Sequence, residues 1–195
     1  MRESQLPNYR IVTHGQKLDL DGDVNYFITS DLHFFHKNIL KHAPKTRLFE
    51  NVEEMNAAIV KHWNETVGVD DVIFFLGDFS FGSLEETLEI LNDLNGNIVF
   101  IRGNHDRMFD SINIDEHYYL EVKVDKKLVC MMHYPLTAWN KQHYGSVQLF
   151  GHCHGKYQGV GRQVDVGYDN FGKIMKLKDV LDIALSKKVV TVDGH

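Results

Sequence analysis

The chain has 195 residues, the size of one domain, and its 43% hydrophobic and 25% charged composition excludes intrinsic disorder. Its net charge of −6 disfavours long nucleic acid and anionic membranes as partners, since both select a basic face, and leaves a small phosphorylated substrate open. The first residues carry no apolar run, no stretch approaches the roughly 20 apolar residues of a membrane span, and Cys130 and Cys153 cannot make a disulfide framework, so a cytoplasmic setting is expected.

Short strands are expected at Tyr9–Thr13 and Lys17–Leu20, then a turn at Asp21-Gly22. Val24–Ser30 reads as a strand. His36–His42 reads as a short helix stopped by Pro44, and Glu53–Thr66 as a helix with Met55, Ile59 and Trp63 on one face. Val72–Leu76 is a continuous apolar run, as a strand buried on both faces should be. Ser83 and Glu86 form a capping box ahead of a buried stripe at Leu84, Leu88, Leu91 and Leu94, and Asn97–Ile101 is the next strand. This alternation calls for a parallel α/β core. Strands then follow at Tyr118–Val124, Lys127–Met132, Val147–Phe150 and Gln163–Val166. Lys178–Ser186 is a late helix, and Val189–Val192 is expected as an edge strand. No repeat or linker interrupts the chain, so 1–195 reads as one domain.

The anomaly is histidine, with 12 copies. Asp31-Leu32-His33, Gly77-Asp78, Gly103-Asn104-His105-Asp106, His133 and Gly151-His152-Cys153-His154 each follow a predicted strand, at the sheet edge where α/β proteins gather ligands. Asp31, His33, Asp78, Asn104, His133, His152 and His154 offer carboxylate, imidazole and amide oxygen donors. One divalent ion takes about four to six donors, so this set suits two ions sharing a ligand. Asp78 is the expected bridge, because Gly77 lets its backbone approach closely. Strand-like alternation sets Asp31 beside His33, and His152 beside His154, and turns Cys153 away as a packing residue. Singly, each motif reads as a helix cap or turn residue; together and in this order they do not. Asp19, Asp21 and Asp23 are not a calcium loop, since Val24 and Ser30 stand where glycine and glutamate are required.

The five blocks, from about Val24 to Val166, resemble the calcineurin-like metallophosphoesterase superfamily, in its small, cap-less bacterial and phage form. The resemblance implies a four-layer α-β-β-α sandwich of two mixed sheets flanked by helices. It implies a first ion held by Asp31, His33, Asp78 and His154, and a second by Asp78, Asn104, His133 and His152. Mn²⁺ is the expected metal, with Fe²⁺, Zn²⁺, Ni²⁺ or Co²⁺ also compatible with nitrogen and oxygen donors. A metal-bridging hydroxide would attack phosphorus while His105 stabilises the phosphate or protonates the leaving group, with Asp106 orienting His105.

Substrate contacts are expected from Asn38, Arg47, Asn104 and His105, with Lys37, Arg102, Arg107 and Arg162 as further candidates. Arg47 could fork onto a phosphate or form a salt bridge. Phe34, Phe35 and Tyr168 could stack on a base or belong to the core, and the Phe79-Ser80-Phe81 loop could be an interface or a wall of the site. Short spacings between motifs leave no room for a cap domain, and an open site favours phosphodiesters of nucleotide type. Phosphomonoesters, phosphoproteins, and a non-enzymatic scaffold of the same fold are the alternatives. Oligomeric state is not legible.

Overall fold

The computed structural model describes residues 12–111, 114 and 116–192. Among these residues ten strands form two five-stranded mixed sheets. The described residues open with β1 (Lys17–Leu18) and β2 (Tyr26–Thr29), then the short α1 (Ile39–His42) and the long α2 (Val52–Thr66). The alternation continues through β3 (Val72–Phe75), α3 (Leu84–Asp93), β4 (Asn97–Ile101) and β5 (Glu116–His117). After these come β6 (Tyr119–Val124), β7 (Lys127–Met132), β8 (Val147–Phe150), β9 (Gln163–Asp165), α4 (Tyr168–Phe171), β10 (Met175–Lys176) and α5 (Leu177–Ser186). One sheet runs β1-β6-β7-β8-β9 and the other β10-β2-β3-β4-β5. In the second sheet β2, β3, β4 and β5 are parallel and β10 is antiparallel.

Period-2 alternation divides the core in two. Val72, Phe74 and Leu76 point to one side of β3 and pack with Leu120, Val122, Val129, Met131 and Leu149 of the other sheet, so this cluster lies between the sheets. Ile73 and Phe75 point the other way, against Met55, Ile59 and Trp63 of α2 and Ile90 and Leu91 of α3. α5 adds Val180, Leu181 and Ala184 to the inter-sheet cluster. The outer face of the first sheet carries Glu121, Gln148 and Gln163. These buried polar side chains are satisfied by the 134–146 segment, with Gln148 Nε2 donating to the Tyr134 carbonyl, Gln163 Nε2 to that of Leu136, and Asn140 Nδ2 to Glu121.

Ser83 accepts from the Glu86 N–H while Glu86 accepts from the Ser83 N–H, so the expected capping box opens α3; its buried residues are Thr87, Ile90 and Leu91, rotated from the expected leucine stripe. Residues 9–11 of the first expected strand lie outside the described residues, and Val12 and Thr13 are not in a strand. The expected edge strand Val189–Val192 does not form. That segment runs as irregular chain, with Val189 and Val190 against Gly145 and Gly161, and the preceding Lys187 carbonyl accepts from Arg162.

Candidate metal centre

Two clusters of ligand atoms meet at the ends of β2, β3, β4, β7 and β8. Asp31, His33 and His154 form one and Asp78, His133 and His152 the other, and within each cluster the ligand atoms lie within 4.8 Å of one another. Asp78 joins them: its Oδ2 lies 3.6 Å from His33 Nε2 and 3.5 Å from His133 Nε2. Asn104 Oδ1 lies 3.1 Å from His133 Nε2, on the second cluster's side. His33, nearly sealed from solvent, has no hydrogen-bond partner on either ring nitrogen. A buried imidazole left so, with carboxylate oxygens 3.6 and 3.8 Å away, fits a position that a cation completes.

The backbone explains the convergence. Asp31, His33, Asp78, His152 and His154 all have positive φ, between 49° and 69°, a region that non-glycine residues rarely adopt and that recurs at functional sites. Strand-like alternation is therefore not what groups Asp31 with His33; alternate left-handed residues just past β2 do so. It also does not set His152 beside His154, which fall in different clusters. Gly77 has φ +91°, and a Cβ there would stand 2.5 Å from Gly103 N and 2.7 Å from His133 Nδ1, so only glycine lets these two loops interlock.

Surrounding bonds fix the ligands. His133 Nδ1 donates to the Leu76 carbonyl at 2.7 Å, which turns Nε2 toward Asp78. His154 Nδ1 donates to Asp169 Oδ2 at 2.7 Å and so leaves its Nε2 free. Asp31 accepts from Ser30 Oγ and the His152 N–H, and Asp78 Oδ1 accepts from the His105 N–H. Burial would push the Asp78 carboxyl up, but the hydrogen bond and charge of His133 outweigh it and hold the acid at about 2. Burial would push His133 down, but its bond to Asp78 and the charges of Asp31 and Asp78 raise it to about 9. Both shifts come from an acid and an imidazole in contact, each favouring the charged form of the other.

His105, like His152, is open to solvent, its side chain 44% exposed and its Nε2 4.0 Å from Asp78 Oδ2. Asp106 is placed differently from expectation. It is buried, with Oδ2 accepting from the Asp78 and Gly103 N–H groups and Oδ1 from that of Phe79, each at 2.8 Å. It clamps the backbone of the Asp78 loop and does not orient the His105 ring. Arg47 also departs from a substrate role. It is buried, and it donates to Asp169, to the Asp31 and Leu32 carbonyls and to Met55 Sδ, while its guanidinium lies 4.6 Å over the Tyr168 ring. The pull toward Arg47 is internal, because Asp169 is buried and needs a cation. Arg102 is likewise taken by Asp110 and Glu116, and Arg162 by the Gly145 and Lys187 carbonyls.

Asn38, Lys37 and Arg107 are exposed, Asn38 at the start of α1 without a side-chain capping bond. Phe34 is core and Phe35 packs against the core. Phe79 is core, but Phe81 walls the site: it stacks on His36 at 4.0 Å and lies near His33 and His105. Tyr134 faces His133 and His152 on the other side. Sequence reasoning does not single out Asp169 or Tyr134; no local motif surrounds either.

The two mixed sheets and the paired clusters at their edge are those of the metallophosphoesterase fold, with a candidate metal centre. The profile of the calcineurin-like phosphoesterase family matches residues 24–195, and the chain belongs to that family. The protein MJ1445 of Methanocaldococcus jannaschii is 44% identical over 93 residues, 47% of this chain, and the match spans about half (52%) of that protein's length. The gene 66 protein of Mycobacterium phage L5 is 27% identical over 82% of this chain and 93% of its own, and that of phage D29 is 26% identical over 82% and 95%. The crystal structure of AQ665, a protein of unknown function from Aquifex aeolicus, has the same fold, with a TM-score of 0.64 and 21% identity over 83% of this chain and all of its own.

Proposed function

We propose that the chain hydrolyses phosphate diesters of small, nucleotide-type substrates, using two divalent ions, with manganese as the working metal. The observation that carries this reading is Asp78 Oδ2 lying between His33 of one cluster and His133 of the other. Ions bound there supply Lewis acidity toward the phosphoryl oxygens and a water activated at neutral pH. Asp31, His33, Asp78 and His154 hold one, and Asp78, Asn104, His133 and His152 the other. His105, half open to solvent beside Asp78, contacts the phosphate and gives a proton to the departing oxygen. Asp106 and Asp169 act behind these residues, the first on the Asp78 loop and the second on His154.

Diesters are favoured because Phe81 and Tyr134, each 39% exposed, flank the clusters with planar rings, and such rings suit a base or aryl group on either side of phosphorus. The net charge of −6 favours small substrates over long nucleic acid. Free thiols at Cys130 and Cys153 suit a reducing, cytoplasmic setting, and no helix among the described residues is long and apolar enough to cross a membrane. We read 1–195 as one domain.

The test compares bis(p-nitrophenyl) phosphate with p-nitrophenyl phosphate after chelation and reloading with Mn²⁺, Fe²⁺, Zn²⁺, Ni²⁺ or Co²⁺. Metal-dependent turnover, faster on the diester and reduced at least a hundredfold by His105→Ala, is expected. Faster turnover of the monoester overturns the diester assignment, and metal-independent turnover overturns the mechanism.

A further inference from the structure

A cleft of about 400 Å³ opens beside the first cluster, between segments 42–46 on one side and 154–156 with 169–170 on the other. Its volume lies in the range of small-molecule sites. His154 belongs to its wall and to the Asp31–His33 cluster alike, so the cleft is continuous with the candidate metal centre.

Charge in the cleft has one sign. Asp169 is its carboxylate, but that side chain is buried, paired with Arg47 and bonded by His154 and Thr46. Lys45 and Lys156 stand exposed, one on each wall, with no ion-pair partner among the described residues, and His42 lies beside Lys45. In a chain of net charge −6, two free ammonium groups facing one concave surface select an anion.

The walls are also tied. Thr46 Oγ1 donates to Asp169 Oδ1 at 2.7 Å, and His154 Nδ1 donates to Asp169 Oδ2 at 2.7 Å. One buried carboxylate thus holds the lysine-bearing turn to the metal-facing histidine, and the cleft needs little reorganisation to bind. Ala43 and Pro44 give its lining an apolar portion that suits the uncharged body of a ligand.

We propose that this cleft binds a second anionic group of the substrate, so that the preferred substrates are nucleotide diesters carrying a further phosphate. Lys45 and Lys156 contact that phosphate, while the scissile one sits at the two clusters. The inference rests on the phosphoesterase reading above.

Two esters with the same leaving group test it: thymidine 5′-(p-nitrophenyl phosphate), and the same compound phosphorylated on its 3′ oxygen. The wild type with Mn²⁺ is expected to prefer the second by roughly three- to thirtyfold in kcat/KM, the range two exposed charge contacts supply. Lys45→Ala/Lys156→Ala removes the preference, Lys45→Glu/Lys156→Glu reverses it, and raised salt weakens it in the wild type. Equal losses on both esters in the double variant, or a preference that survives it, overturns the cleft assignment. Calorimetric binding of thymidine 3′,5′-bisphosphate against thymidine 5′-monophosphate separates this proposal from the hydrolytic reading. If neither ester is cleaved, tighter binding of the bisphosphate that disappears in the double variant keeps the cleft and rejects the hydrolysis. Equal binding of the two nucleotides rejects the cleft.

Discussion

Arg47 and Asp169 form a two-point ion pair, Nε to Oδ1 at 2.7 Å and Nη2 to Oδ2 at 3.2 Å, sealed behind the first metal cluster. The same guanidinium holds the Asp31 carbonyl at 2.6 Å and the Leu32 carbonyl at 3.0 Å. It therefore braces the backbone that carries Asp31 and His33, and its charge permits Asp169 to be buried.

Arg47→Met leaves a buried charge and two carbonyls without their donor. Loss of one partner of a buried pair costs about 3–5 kcal/mol, and urea denaturation should show a loss of that size. Arg47→Lys keeps the charge but not the planar fork, and should fall between. A loss below about 1 kcal/mol for the methionine variant contradicts the brace.

Asp169→Asn acts on metal affinity more selectively. Burial would push the Asp169 carboxyl up, but the bonds from His154 and Arg47 hold it well below the ordinary carboxylate range, so it is the anion that orients His154. An asparagine oxygen is a weaker partner for that imidazole. Titration with Mn²⁺ should show one site weakened by about 10–100-fold and the other little changed. Equal weakening of both sites goes against the assignment of His154 to a single cluster.

How much of this was legible depends on the range of the forces involved. β4, β7 and β8 begin and end where the apolar pattern puts them, because their registers and burial are set by neighbouring strands on both sides. β5 and β10 are two residues long and leave no periodic trace. The ligand set could be read from its motifs, but the reason for its geometry could not. Left-handed φ values at Asp31, His33, His152 and His154 are imposed by the loops they meet, and nothing in the local sequence demands them. The role of Arg47 is hidden for the same reason, since Asp169 lies 122 positions away.

Asp106 gathers three backbone N–H groups from two loops, and Asp106→Asn turns one acceptor oxygen into a donor against them. The variant should lose about 1–3 kcal/mol of stability, the cost of leaving a buried donor unpaired. In a double-mutant cycle on kcat, Asp106→Asn and His105→Ala should combine additively. Strong non-additivity would restore the orienting role that the sequence pattern implies.

Gly77→Ala tests the interlocked loops. A methyl group would sit 2.5 Å from Gly103 N, and φ is +91°. Neither backbone can yield without moving Asp78 or His133. A loss of about 4 kcal/mol or more is expected, together with weaker binding at the second cluster. A variant of wild-type melting temperature would show that the loops are looser than this contact implies.

On the outer face of the first sheet Glu121 anchors a second polar network. Tyr119 Oη donates to it at 2.7 Å and Asn140 Nδ2 at 3.0 Å, while His14 lies 3.3 Å away and Cys130 Sγ 4.0 Å. Burial would push its carboxyl up, but the bonds from Tyr119 and Asn140 and the charge of His14 prevail and lower it from the ordinary 4.5. The unfolded chain therefore takes up this proton before the folded one does, and stability falls as pH drops through and below about 4.5. Glu121→Gln lacks that dependence. In urea denaturation the wild type should exceed the variant by about 2 kcal/mol from pH 8 down to 5, the contribution of a hydrogen bond to a charged group. Below pH 4.5 the gap should narrow. A gap that stays constant over that lower range would mean that Glu121 is held by shape alone and that its charge adds nothing to the fold.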